Sequence, residues 1–185
     1  ELGFKEGWLQ PKVTWGVFPA RSKNESVFFT TKQGEVEVPF MRQQVKKTTD
    51  ANPYLCLSDY VQPTGDFAGA FIVTAGAKYL EKAAQLEKEN DDYTAILVKS
   101  VADRVAEALA EWMHLEFRRN MGSAENFTPE ELIAEKYRGI RPAPGYAACP
   151  DHQLKLDIWK LLSGHTNSVE LTESLSMTPP SSVSG

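Results

Sequence analysis

Arg141 and Tyr146 bracket the four residues Pro142, Ala143, Pro144 and Gly145. A guanidinium grips a carboxylate through two parallel N–H donors. A tyrosine offers a ring face and one hydroxyl. The two prolines fix their own φ and remove backbone donors. They also push the residues before them toward extended geometry. Gly145 permits a tight turn or a close approach of backbone to a ligand. Residues 139–150 therefore predict a stiff loop that holds a planar cation and an aromatic ring for a small ligand with a carboxylate and a flat ring. The plain alternative is a connection between two helices, with Arg141 in a surface ion pair and Tyr146 plugging the core.

Other polar residues carry weaker signals. Asp103, Glu107 and Glu111 recur at four-residue spacing on one helix face, which is most simply a solvated row. Glu135 precedes Arg141 by six residues. His152 falls in the first turn of a helix, where a structural role is common, and His114 and His165 show no partner pattern. Asp91 and Asp92 suit a helix cap rather than a metal. Cys56 sits in an apolar pattern and reads as a small buried hydrophobe. Cys149 lies beside the loop with no readable role. No Gly-x-Gly-x-x-Gly follows a strand, which excludes the usual dinucleotide-type methyltransferase. No P-loop, nucleophile elbow, His-Glu-x-x-His or general-base constellation is present.

The chain has 185 residues, with 42% hydrophobic and 24% charged residues, enough for one domain with a real core. A formal charge of −5 gives no support for nucleic acid or an anionic membrane as partner. No apolar run approaches the ~20 residues of a membrane span. Glu1 to Lys5 do not read as a signal peptide. Two cysteines and no Cys/His cluster argue against a disulfide framework or zinc site and fit a reducing cytoplasm.

The elements that must position these residues run in a clear order. Val13–Phe18 predicts a strand that stops at Pro19. Ser26–Thr31 and Glu35–Val38 flank Lys32-Gln33-Gly34 as a hairpin. Tyr54–Val61 and Phe67–Thr74 predict further strands. Ala77–Lys88 and Tyr93–Arg119 predict helices. In the second, Ile96, Leu97, Val101, Val105, Ala108, Leu109, Trp112, Met113 and Phe117 predict the stripe that packs on a sheet. Thr128-Pro129-Glu130-Glu131 opens a helix with a capping box and carries Leu132 and Ile133 inward. Asp151 caps a helix that runs through Ile158, Trp159, Leu161 and Leu162 to Gly164, and Val169–Met177 returns as a strand. The order predicts an α+β fold with helices packed on an antiparallel sheet. By composition alone the tail Thr178–Gly185 could pass for disorder.

The string Arg141-Pro142-Ala143-Pro144-Gly145-Tyr146 resembles the Arg-x-x-x-Gly-Tyr signature of the activation domain of cobalamin-dependent methionine synthase. Four further segments resemble the family in order: Arg42-Gln43-Gln44, Leu55–Val61, Asp91-Asp92-Tyr93 with Val98–Ala108, and Leu171–Met177. The resemblance runs from about Val13 to Gly185. It implies a bent antiparallel sheet with flanking helices, in a single unit over 1–185 that lacks the family's N-terminal helices and C-terminal segment. With those segments go an Asp and a Tyr that contact the ligand in the family. Beyond His152 the family reads Thr-Glu-Lys, whereas this chain has Gln153-Leu154-Lys155.

The resemblance further implies a function. The domain would bind S-adenosylmethionine and support reductive remethylation of cob(II)alamin in methionine synthase, a methyltransferase of methionine biosynthesis, without being a complete enzyme itself. Arg141 would take the carboxylate or polar end of the ligand, Ala143 and Gly145 would offer backbone, and Tyr146 would pack or hydrogen-bond. Glu107 and Glu135 would face the sulfonium, a cation without donors that suits carboxylates and aromatic faces. The implied partners are the cobalamin-binding domain and a flavodoxin or flavoprotein reductase that supplies an electron. Two alternatives stand beside this: a docking module for a corrinoid protein or flavodoxin without its own ligand, and a stand-alone reactivator of another corrinoid methyltransferase.

Overall fold

Lys32 and Gln33 turn the chain between strands β2 (Ser26–Thr31) and β3 (Gly34–Pro39), which pair antiparallel from Thr31↔Gly34 to Ser26↔Pro39. Gly34 has φ 127°, which a side chain would resist, and Thr31 Oγ1 accepts from Gln33 N at 3.2 Å. This is the hairpin that the sequence predicts. The computed structural model describes residues 1–44 and 53–185. Strand β1 (Lys12–Lys23) pairs antiparallel with β2 from Ala20↔Phe29 to Lys23↔Ser26. With β4 (Asp66–Thr74) and β7 (Ser182–Ser184) it completes a five-stranded sheet in the order β3-β2-β1-β4-β7. The expected α+β class with an antiparallel sheet is the observed one.

The chain divides into two compact units. The first comprises Glu1–Trp15, Phe71–Tyr137 and His165–Ser184. It holds the short helix α1 (Leu2–Lys5), α2 (Lys78–Lys88), α3 (Asp92–Asn120) and α4 (Pro129–Ile133). A hairpin of β5 (Glu170–Leu171) and β6 (Met177–Thr178) belongs to it too. Its apolar core joins Phe71 and Val73 of β4, Ala106, Ala110 and Met113 of α3, and Val183 of β7. A second cluster packs Tyr79, Ala83 and Leu86 of α2 on Ala95, Val98 and Ala102 of α3. Asp91 caps α3 by accepting from Thr94 N at 3.1 Å, as its position predicts.

The second unit comprises Gly16–Ala70, Arg138–Gly164 and Gly185. Here α5 (Leu154–Leu161) packs on β3. Arg42 is donor to both oxygens of Asp59 at 2.7 and 2.9 Å and to Glu25 at 3.0 Å. Arg42-Gln43-Gln44 and Leu55–Val61, two separated segments of the resemblance, are thus tied together. Donation from Arg42 holds the Asp59 carboxyl below its usual range.

Five sequence expectations are corrected. Strand β1 does not stop at Pro19 but runs through it, because its register with β2 begins at Ala20 and needs no donor from Pro19. Tyr54–Val61 is not a strand. Leu57–Tyr60 form a 3₁₀ turn, held by Asp59 accepting from Cys56 N at 2.8 Å and by Ser58 Oγ donating to Asn24 O at 3.0 Å. Helix α3 buries only part of the expected stripe: Met113 is in the core and Val105 and Leu109 pack against it, but the core face is mainly Ala95, Ala102, Ala106 and Ala110, while Ile96 (62% exposed) and Trp112 (51%) face solvent. Small side chains let α2 and β7 approach α3 closely, and this decides which stripe turns inward. Ile133 is exposed, since α4 is too short to bury both of its apolar residues.

The fifth correction concerns the C-terminal strand. Val169–Met177 splits into β5 and β6 around a turn in which Thr172 Oγ1 accepts from Ser176 N at 3.1 Å. Past that hairpin, the polar tail is ordered rather than loose. Ile72↔Ser184, Val73↔Val183 and Thr74↔Ser182 pair antiparallel, and Ser181 Oγ donates to Asp103 Oδ1 at 2.6 Å.

Candidate functional site

The Arg-Pro loop is cross-braced by its own backbone. Gly145 N donates to Cys149 O at 2.8 Å, Cys149 N to Tyr146 O at 2.9 Å, and Tyr146 N to Ala143 O at 3.3 Å. Tyr146 and Cys149 form an isolated antiparallel bridge. Gly145 has φ 104°, a conformation that side chains rarely adopt. A Cβ there would also meet the His152 ring at 2.5 Å. The glycine is therefore required twice, by backbone angle and by the close imidazole.

Within this loop Ala143 and Pro144 are buried and anchor the turn. Arg141 is half-buried, and its Nε is closed off from solvent. Tyr146 is 62% exposed, so it does not plug the core and its ring is free for a ligand. The loop thus sets out a partly desolvated guanidinium, an open aromatic ring and a turn without a side chain. Charge-assisted bonds from such a guanidinium are stronger than those at an open surface.

His152, just before α5, packs under the loop's Gly145, and Lys155 lies in α5's first turn. Lys155 Nζ lies 3.1 Å from His152 Nδ1. An ammonium only donates, so Nδ1 is the acceptor in this contact. Burial pushes the Lys155 pKa down. The expected cap by Asp151 is corrected: α5 starts only at Leu154 with Gln153 at its N-cap, and Asp151 instead closes a turn just before it by accepting from Gln153 N at 2.8 Å. Cys149 lines a small recess with Phe40, Met41, Leu57 and Leu154. Burial, with Asp151 nearby, pushes its thiol up to about 11. It stays protonated at neutral pH and is a poor nucleophile.

The two expected carboxylates lie in the other compact unit. Glu107 is exposed on α3, and Glu135 is exposed just after α4. The structure brings Arg141, Ala143, Gly145 and Tyr146 into one loop, and places Glu107 and Glu135 on elements of the first unit. Glu135 has φ 51°. It is the residue after the α4 C-cap, with Lys136 N donating to Glu131 O at 3.1 Å and Glu135 N to Leu132 O at 3.0 Å. That pair of bonds is a Schellman motif, whose left-handed position is usually glycine.

Sequence reasoning missed a buried cluster in the first unit. Arg118 is donor from Nε to Glu125 at 2.9 and 3.1 Å, and its Nη1 lies 2.7 Å from His114 Nδ1. Its guanidinium stacks over the Tyr137 ring at 3.8 Å, and the His114 ring meets the same tyrosine edge-on at 5.0 Å. The signal available was His114 and Arg118 four apart on a helix. Among the described residues, no group of three or more His, Cys, Asp or Glu is placed to hold a metal ion. No helix there is long and apolar enough to cross a membrane.

An antiparallel sheet with packed helices and a stiff Arg/Tyr loop defines an α+β domain. Residues 3–185 match the family described as vitamin B12 dependent methionine synthase, activation domain, and the chain belongs to that family. It is similar to the MetH reactivation domain, whose crystal structure is bound to AdoHcy, with a TM-score of 0.91 and 40% sequence identity. The match covers 100% of this chain and 60% of that one.

Proposed function

We propose that this domain binds S-adenosylmethionine at the Arg141–Tyr146 loop and presents its methyl group during reactivation of cobalamin-dependent methionine synthase. The observation that carries the reading is the loop itself: a half-buried guanidinium, an exposed ring and a turn without a Cβ, all braced by backbone bonds. Arg141 binds the ligand's carboxylate through its planar fork. Tyr146 offers a ring face and its hydroxyl, and Ala143 and Gly145 offer backbone. These residues fit the nucleoside by the chemistry of their donors, and the similarity to a domain solved with AdoHcy points the same way.

A corrinoid held by the cobalamin-binding domain of methionine synthase would supply the methyl acceptor, with a flavodoxin or flavoprotein reductase as the electron source. The chain's own part is positioning. It fixes the methyl donor in one orientation and leaves S-adenosylhomocysteine in the site.

Calorimetric titration of S-adenosylmethionine and S-adenosylhomocysteine into the chain tests this reading. Saturable one-site binding of both is expected. A folded chain that binds neither would overturn the proposal and leave a docking module for a corrinoid protein or flavodoxin.

A further inference from the structure

We propose that Lys155 is a positioning residue for the ligand loop: through His152 it walls in Gly145 and so holds Arg141 and Tyr146 at their spacing. The inference rests on reading the Arg141–Tyr146 loop as the S-adenosylmethionine site, and it adds residues that need no ligand contact of their own. Every group it uses lies in the second compact unit.

A glycine in the middle of a recognition loop sets shape against order. The turn needs φ 104° and has no room for a Cβ. Yet glycine has more backbone freedom to lose than any other residue. Whatever stays mobile in the free loop must be ordered when the ligand arrives, and that weakens binding. Gly145 N donating to Cys149 O at 2.8 Å fixes one side of the turn. The His152 ring fills another. A Cβ on Gly145 would lie 2.5 Å from His152 Cε1, 3.1 Å from Nε2 and 3.2 Å from Nδ1. The N–C–N edge of the imidazole thus occupies the space of the missing side chain and limits how far the glycine can swing.

His152 is exposed and lies outside α5, so burial does not fix its ring. Lys155 supplies the restraint, with Nζ 3.1 Å from His152 Nδ1. Lys155 is 5% exposed and shares the buried face of α5 with Leu154, Ile158 and Leu161. A lysine there breaks the apolar pattern of the helix and is costly to desolvate. Its aliphatic stem packs like an apolar side chain, but an unbranched apolar residue would fill the same place without the cost. A residue that breaks a local rule in this way marks function. What the amine adds is the bond to the ring. The restraint then passes along the loop. Gly145 is followed by Tyr146, whose N donates to Ala143 O at 3.3 Å and whose O accepts from Cys149 N at 2.9 Å.

The test compares the parent, Lys155→Met, His152→Ala and the double variant. Calorimetry gives S-adenosylmethionine affinity, and thermal unfolding gives stability. Nitrogen-15 relaxation of the Gly145 and Tyr146 amides gives the order of the loop without ligand. Each single variant is expected to bind about five- to thirtyfold more weakly, the worth of one residue's backbone freedom. Both amides should become more mobile in both variants. Lys155→Met keeps the stem and removes the buried amine, so it should unfold no earlier than the parent while binding less tightly. A merely structural lysine would lower affinity and stability together. The double variant should bind no more weakly than His152→Ala alone, because Lys155 acts through the ring. Lys155→Leu takes the place of Lys155→Met if that variant folds poorly. Parent-like affinity or parent-like loop order in the single variants overturns the proposal, and so do losses that multiply in the double variant. A folded parent that binds no S-adenosylmethionine overturns the functional reading and this proposal with it. A parent that binds while its variants bind equally well overturns this proposal alone.

Discussion

Arg118→Leu is expected to destabilise the fold by about 3–5 kcal/mol, the loss typical when one partner of a buried ion pair is removed. The side chains of Arg118 and Glu125 are 5% and 8% exposed. Removing the guanidinium leaves the Glu125 carboxylate buried, with Ser123 Oγ still donating to it at 2.8 Å. The pH dependence follows with a definite sign. Burial pushes the Glu125 carboxyl up, but donation from Arg118 and Ser123 outweighs it and holds the group below its ordinary value of 4.5. In the parent, the stability from this depressed value is present above that ordinary value and is lost as pH falls through the folded one. In Arg118→Leu the burial effect dominates, the folded value lies above the ordinary one, and protonation relieves the variant. The stability gap between the two should therefore narrow as pH falls below about 5. Urea unfolding of both chains at neutral and acid pH checks this. A gap below about 1 kcal/mol at neutral pH would mean that the pair behaves like an exposed one.

Arg141→Ala is expected to weaken S-adenosylmethionine binding by about 10- to 100-fold. This corresponds to about 1.5–3 kcal/mol for hydrogen bonds to a charged group. Arg141→Lys should recover only part of the loss, because a point charge cannot reproduce a bidentate fork. The loop's backbone bonds run between Ala143, Gly145, Tyr146 and Cys149. Dissociation constants from calorimetry, measured beside thermal unfolding, separate affinity from folding. Equal affinity in the parent and Arg141→Ala would remove Arg141 from the ligand site.

Much of the scaffold was legible because local chemistry decided it. Lys32-Gln33-Gly34 turns a hairpin, Asp91 caps α3, and Thr128 with Glu131 forms the capping box. Where tertiary contacts override local pattern, the sequence pointed elsewhere. The apolar residues of α3 offer two stripes, and only contact with α2 and β7 selects the alanines. Ser182-Val183-Ser184 looks like a polar tail, yet it becomes a strand because β4 supplies its partners. Asp59 and Arg42 turn an apparent strand into a 3₁₀ turn through a bond across 17 residues.

The candidate site divides in the same way. The stiffness of the Arg-Pro loop and the need for Gly145 follow from residue types. The His152 ring beneath that glycine, the exposure of Tyr146 and the Arg118 clamp do not, because each depends on segments that meet only in the folded chain. Glu135 is instructive here. Its carboxylate was picked out by resemblance alone, and its left-handed backbone at the end of α4 was not foreseen.

The most direct test of the central claim is a ¹H–¹⁵N NMR titration of the chain with S-adenosylmethionine. Saturable shifts of the Gly145 and Tyr146 amides and of the Arg141 Nε–H are predicted. A folded chain whose loop signals stay fixed at saturating ligand would contradict the account.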